Sequence, residues 1–276
     1  MGRALLAVVL TALAGCPPRK APERGVELVF TKSGDVRLAV ERRLARLGVK
    51  ARLADDETTI TVRLPQTGAP VDVAAVKALL SVPAKLEFCK EAAQPSRAHC
   101  EAPAPADGGA PGPDVERVPD DFDEGHCMVL GREPAALFAA VDAGTQGRVL
   151  VGAGRGGQLR TYVAEPGCLA PRVLRAEVST ELPVVNIVFD GPSAEQFSSM
   201  TAETVQRRLL IVIDGVVTAA PVVQTPITGG RAMVPLEPGS TPAQAATLTA
   251  ALESGPIEGG LSLSREGPYG PPSLAP

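Results

Sequence analysis

The stretch VELVFTKSGDVRLAVERRLARLGVKARLADDETTITVRL, residues 26–64, decides the fold. Val26 to Phe30 is a run of β-formers that ends near Ser33-Gly34-Asp35, where Ser33 or Asp35 can cap a helix. Val36, Val40, Leu44 and Leu47 then recur at three- and four-residue steps, so they share one helix face until Gly48 stops it. Val49 to Leu53 and Thr58 to Leu64 read as two strands joined at Asp55-Asp56-Glu57. Further out, Asp72 to Leu80 is a second helix with Val73, Val76, Leu79 and Leu80 inward, and Lys85 to Cys89 returns as a strand. The order β-α-β-β-α-β is the split βαβ of a ferredoxin-like unit.

Residues 92–126 interrupt this pattern. They are rich in Ala, Pro, Gly and Asp without apolar periodicity, which predicts a long disordered surface loop. From Cys127 the chain is β-rich, with strands expected at Val149–Val151, Leu159–Val163, Arg172–Val178, Val184–Phe189 and Leu209–Ile213. Ser193–Met200 and Ala202–Arg207 read as helical. A helix at Pro242–Glu253 and a strand at Leu261–Ser264 follow, then a Pro/Gly-rich loose tail, 267–276. The fold class is α+β. In 276 residues, 45% are hydrophobic and 21% charged, as in ordinary globular chains, while aromatics at 3% and no Trp require an aliphatic core. A net charge of −4 with no basic block argues against nucleic acid as a partner.

The amino terminus has its own logic. Arg3 precedes an apolar run, Ala4 to Ala14, that as a helix would span roughly 16 Å, far short of an about 30 Å hydrocarbon core. Residues 1–15 therefore read as a signal peptide. The run enters Leu13-Ala14-Gly15-Cys16, which looks like a lipobox, so Cys16 is the expected lipidation site, a permanent membrane anchor. Residues 16–25 form a proline-containing tether. Pro rather than Asp after the cysteine implies, by analogy with Gram-negative lipoproteins, a periplasm-facing place at the outer membrane. Cys89, Cys100, Cys127 and Cys168 remain, an even number that reads as two disulfides with three possible connectivities. The rivals are free thiols and a metal site, though for the latter the His99-Cys100 and His126-Cys127 pairs put neighbouring side chains on opposite sides of an extended chain.

Other motifs favour structure over chemistry. Gly152 to Gly157 contains G-x-G-x-x-G after a strand, yet the β-forming Leu159-Arg160-Thr161-Tyr162-Val163 follows where a dinucleotide site needs a helix, so a hairpin is expected. Asp120-Asp121-Phe122-Asp123-Glu124-Gly125 does not fit a calcium loop and reads as a solvated acidic turn. Arg37, Arg42, Arg43 and Arg46 read as a solvated helix face, with anionic headgroups as the alternative contact. No nucleophile elbow or acid pair is recognisable, so catalytic, cofactor and metal residues are all expected to be none.

The second half carries a resemblance. Phe197-Ser198-Ser199-Met200-Thr201-Ala202-Glu203-Thr204 leads to Leu209-Leu210-Ile211-Val212-Ile213-Asp214-Gly215, then Ala219-Ala220-Pro221 and Pro226-Ile227-Thr228-Gly229-Gly230. This resembles the first large periplasmic domain of the SecD and SecDF protein-export subunits. In the first half, Arg43 to Val49, Ile60 to Pro65 and Lys85 to Phe88 agree in order, as does Leu248 to Ile257 near the end. The resemblance implies a ferredoxin-like base, 26–91 and 241–266, with an inserted head over 127–240. Asp214-Gly215 is a hairpin signal and Gly229-Gly230 offers positive-φ positions, so Asp214, Gly215, Pro221, Gly229 and Gly230 look structural. The implied job is binding polypeptides or envelope proteins, with Sec channel components or secretory polypeptides as partners, and without proton-driven motor activity. The alternative is a structural or scaffolding envelope lipoprotein.

Overall fold

The strand expected at Val26 forms as β1 (Gly25–Lys32), with Leu28 and Phe30 buried by its two-residue alternation. A computed structural model describes residues 24–66, 70–92, 115–120, 127–141 and 147–270 of the chain. After β1 come α1 (Arg37–Arg46), β2 (Arg52–Asp55), β3 (Thr59–Pro65) and α2 (Val73–Ser81). Asp72 caps α2 by accepting from the Ala75 amide at 3.0 Å. Val36, Val40 and Leu44 are buried as their spacing predicts, but Leu47 caps the helix and is exposed.

The four-stranded sheet has the order β14-β1-β3-β2, with β14 at Leu261–Tyr269. This corrects the expected fourth base strand. β4 (Leu86–Lys90) leaves the base and pairs antiparallel with β11 (Leu209–Ile213), Cys89 opposite Leu210. The reason is burial: Leu86, Glu87, Phe88 and Cys89 are all buried, which demands cover on both faces. The tail is also shorter than expected, because Gly267 to Tyr269 belong to β14 and pair with β1.

The inserted region adds β5 (Val115–Pro119), β6 (Cys127–Gly131), α3 (Pro134–Ala140), β7 (Arg148–Ala153), β8 (Leu159–Ala164), β9 (Val173–Val178), β10 (Val184–Phe189), α4 (Gly191–Glu203), β12 (Val216–Ala219), β13 (Arg231–Pro235) and α5 (Pro242–Ser254). β5 lies inside the stretch expected to be a disordered loop. α4 is one helix, capped by Asp190 on the Ser193 amide at 2.9 Å. The second expected helix fails because Val205 and Arg208 turn aside to bridge Val223 and Val222. The glycine motif forms the expected hairpin: β7 and β8 are antiparallel, Leu150 opposite Tyr162.

A second sheet runs β4-β11-β12-β7-β8-β6-β5. It also curls. Glu91 bridges Ala164, the Ala92 amide donates to Val163 at 2.8 Å and the Glu165 amide to Lys90 at 2.8 Å. β4, β11, β12, β7 and β8 thus close into a five-stranded barrel, lined by Cys89, Leu150, Tyr162, Ala164, Leu210, Val212 and Val217. The third sheet, β13-β10-β9, packs with α4 against the outer face of β4 and β11. Phe88, Phe189 and Phe197 meet edge-to-face there, ring centroids 4.8 to 5.7 Å apart, a geometry aromatic quadrupoles favour. Among the described residues no helix is long and apolar enough to cross a membrane.

Candidate functional site

The small third sheet presents one face to solvent. In register, Val188 lies between Arg175 and Arg231, and Asn186 between Glu177 and Met233. These residues and Ile227 line an open groove of about 610 Å³. Arg175 and Glu177 form an exposed ion pair, so Arg231 supplies a cation with no acidic partner among the described residues. Met233 is 59% exposed and Ile227 37%, which leaves apolar surface beside that cation.

The motif residues of the sequence set this face in place. The Ile227 amide donates to the buried Thr201 hydroxyl of α4 at 2.9 Å. Gly230 sits at φ 60°, and a β-carbon there would lie 2.7 Å from the Ala194 methyl, so a side chain is excluded by backbone and by space. Gly229 has no positive φ, contrary to expectation, since one αL residue suffices to start β13. Asp214 and Gly215, at φ 52° and 84°, make the expected two-residue hairpin. Pro221 accepts from the Leu209 amide at 2.9 Å. Asp214 does more than turn the chain: its carboxylate accepts from the Ala84 and Lys85 amides at 3.2 and 2.7 Å, fastening the connector between α2 and β4.

Two expected surface features are buried. Arg43 is fully buried, and its guanidinium donates to the carbonyls of Leu79 at 2.7 Å, Pro83 at 2.9 Å, Gly255 at 3.1 Å and Val82. It thereby ties the end of α2 and the connector after it to the end of α5, where the chain leaves for the insertion and returns from it, which no periodicity reading reveals. Burial lowers its pKa to about 10, below the ordinary guanidinium range, with Asp214 acting the other way. Asp120 is likewise buried. It receives Arg208 bidentately at 2.6 and 2.7 Å and Arg160 at 2.9 Å, a desolvated cluster that Glu91 joins. Hydrogen bonding to Asp120 raises the Arg208 pKa, and desolvation raises that of Tyr162, whose ring lies under Arg160. Residues 121–125 of the acidic motif are outside the described residues.

Cys89 and Cys168 form a disulfide, Cα atoms 4.4 Å apart, joining β4 to the segment before β9. Cys16 and Cys100 lie outside the described residues, and of Cys127 only the backbone is described. Among the described residues no group of three or more His, Cys, Asp and Glu is placed to hold a metal. The groove offers backbone edges, apolar surface and, in Arg231, one cation outside an ion pair among the described residues, which suits an extended chain more than a small molecule.

Residues 172–258, spanning this face, α4 and all of α5, match the SecDF P1 head subdomain. Over 90 residues the chain is 39% identical to the protein translocase subunit SecD of Magnetococcus marinus, 32% of this chain and 17% of that protein. Over 89 residues it is 34% identical to SecDF of Thermus thermophilus, 32% of this chain and 12% of that protein. The matched stretch thus spans less than a fifth of these relatives. Two solved chains share the fold at 20% identity. One is SecDF in a super-membrane-facing form, TM-score 0.55, over 90% of this chain and 30% of that one. The other, of the membrane component SecDF that enhances protein export, has TM-score 0.51 and covers 88% of this chain and 98% of that one. The SecDF-like head and its periplasmic-domain fold therefore include the groove described above.

Proposed function

We propose that this chain is a lipid-anchored, periplasm-facing SecD-like domain that binds extended polypeptide or envelope-protein segments and assists protein export. The observation that carries the reading is the head-subdomain match over 172–258, which coincides with the solvent-facing sheet and its groove. Its relatives are named as protein translocase subunits, so Sec channel components and secretory polypeptides are the partners we propose. In this reading the domain contributes binding and not proton-driven motion. Cys16 carries the lipid, residues 16–25 act as tether, and the outer membrane is the proposed address.

A photo-crosslinking residue at Asn186 in cells tests it, with Thr61 on β3 of the base as the comparison position. Enrichment of secretory polypeptides or channel subunits at Asn186 is the expected result. Equal background capture at both positions would remove the reading, and envelope-shape defects alone on deletion would favour a scaffolding lipoprotein. Palmitate labelling lost in Cys16→Ser checks the anchor separately.

A further inference from the structure

The third sheet has two edges, and they are treated differently. On β9 the outward amide of Ala176 is occupied: the Glu253 carboxylate of α5 accepts it at 2.8 Å. That carboxylate is itself held by Arg46 of α1. A capped edge cannot recruit another strand.

β13 ends the sheet on the other side. The Phe189 amide donates to Gly230 at 2.9 Å and the Leu236 amide to Pro183 at 2.8 Å. By the two-residue period, Ala232 and Val234 turn their amides to β10, while Arg231, Met233 and Pro235 turn theirs outward. Among the described residues nothing pairs with this edge, which therefore offers two N–H donors and three carbonyls, and Pro235, having no donor, sets its far end. Arg231 and the 59% exposed Met233 flank it on the solvent face.

We infer that β13 takes up a short extended segment of another polypeptide as an added strand, with an acidic side chain beside Arg231 and an apolar one, two residues away, beside Met233. This rests on the polypeptide-binding reading and names how that site grips. Backbone edges select extended chain of almost any sequence, and the alternate side chains add preference. A second copy of this chain is the poorer occupant. Two β13 edges meeting would bring both Arg231 cations and no acid to the seam.

The test uses the full chain carrying Cys16→Ser and fluorescent eight-residue peptides alternating Val and Thr with one Glu. Two N-methylated versions block either one hydrogen-bonding edge of the peptide or the other, leaving the protein untouched. Methylation on one edge is expected to weaken binding about thirtyfold, the loss of about two backbone hydrogen bonds, and on the other to change little. Met233→Pro removes one outward donor and should weaken binding about fivefold or more, while Met233→Ala keeps the donor and should retain edge discrimination. Arg231→Glu should shift preference from the Glu peptide to its Lys counterpart. Binding that is equally sensitive to both methylations, or absent while Asn186 crosslinks secretory polypeptides in cells, overturns the edge inference and leaves the broader reading standing. Concentration-dependent dimerisation abolished by Met233→Pro overturns it in favour of self-pairing.

Discussion

Replacing Arg43 with Met should be among the most damaging single changes to this domain. The stem packs as before, but four backbone carbonyls from Leu79, Val82, Pro83 and Gly255 lose their donor. Hydrogen bonds from a charged donor contribute about 1.5–3 kcal/mol each. Against them stands the cost of burying the cation: a guanidinium whose pKa is lowered to about 10 costs about 3 kcal/mol. The balance is a net loss of about 3–9 kcal/mol on substitution, and we take about 4, near its low end and within the range for uncompensated buried polar groups. The usual rescue of buried charges by apolar replacement fails here, because the acceptors are main chain and cannot be replaced with the cation. Urea unfolding followed by circular dichroism reads the effect as a fall in midpoint of about 1.5 M at a slope of about 2.5 kcal/mol per M. Arg43→Lys keeps the charge but not the planar fork, and should recover less than half of the loss. Midpoints within about 0.2 M of the parent for both variants would refute the stapling argument.

Reducing the Cys89–Cys168 disulfide, or replacing both residues with Ala, opens a connection across 79 residues and should cost about 4.5 kcal/mol by loop entropy; thermal melts with and without reductant measure it. Gly230→Ala forces a β-carbon to within 2.7 Å of Ala194 at φ 60°, and should lower stability by about 1–3 kcal/mol, with peptide binding at β13 reduced in parallel. Glu87→Gln concerns acid: the Arg148 hydrogen bond, outweighing burial, holds the Glu87 pKa below its usual 4.5. Its contribution is therefore present above 4.5 and is lost as pH falls through the depressed value. The variant should be less stable than the parent at pH 7 and indistinguishable from it once the pH is well below 4, as denaturant midpoints across that range would reveal.

Much of the fold was legible because one-sided burial writes a period into the sequence. Leu28 and Phe30 alternate on β1 and Val36, Val40 and Leu44 line α1, so both elements and their inward faces could be read directly. The helix expected at Pro242–Glu253 forms as α5, and the structure shows a full capping box of Thr241 and Gln244 at its start. β4 resisted for the opposite reason. With Leu86 and Phe88 in the aromatic cluster and Glu87 and Cys89 turned to the barrel, both faces are covered, and such a strand reads the same whichever sheet receives it. Nor does any local pattern record that Lys90 to Ala92 close a barrel against β8, since that pairing joins segments about 70 residues apart in sequence.

The buried charges were illegible for a deeper reason, and they bear on where the site lies. A lone Asp or Arg on a surface-like stretch is most economically read as solvated, as Asp120 and Arg43 were. Parity held the missing signal. Glu87, Cys89 and Glu91 share one side of their strand; so do Arg208, Leu210 and Val212, and so do Arg160, Tyr162 and Ala164. Each inward apolar row therefore carries charge in register with it, and the desolvated set of Glu91, Asp120, Arg160 and Arg208 sums to zero. Buried ions persist only when their partners are fixed in place, so the barrel that holds them, with the disulfide at its wall, is the rigid part of the insertion. The third sheet rests on that barrel through the three phenylalanines and has none of these ties along β13. A strand added at that edge would thus meet a firm backing sheet at little cost in reorganisation, which is the condition under which a few backbone hydrogen bonds can hold a passing chain.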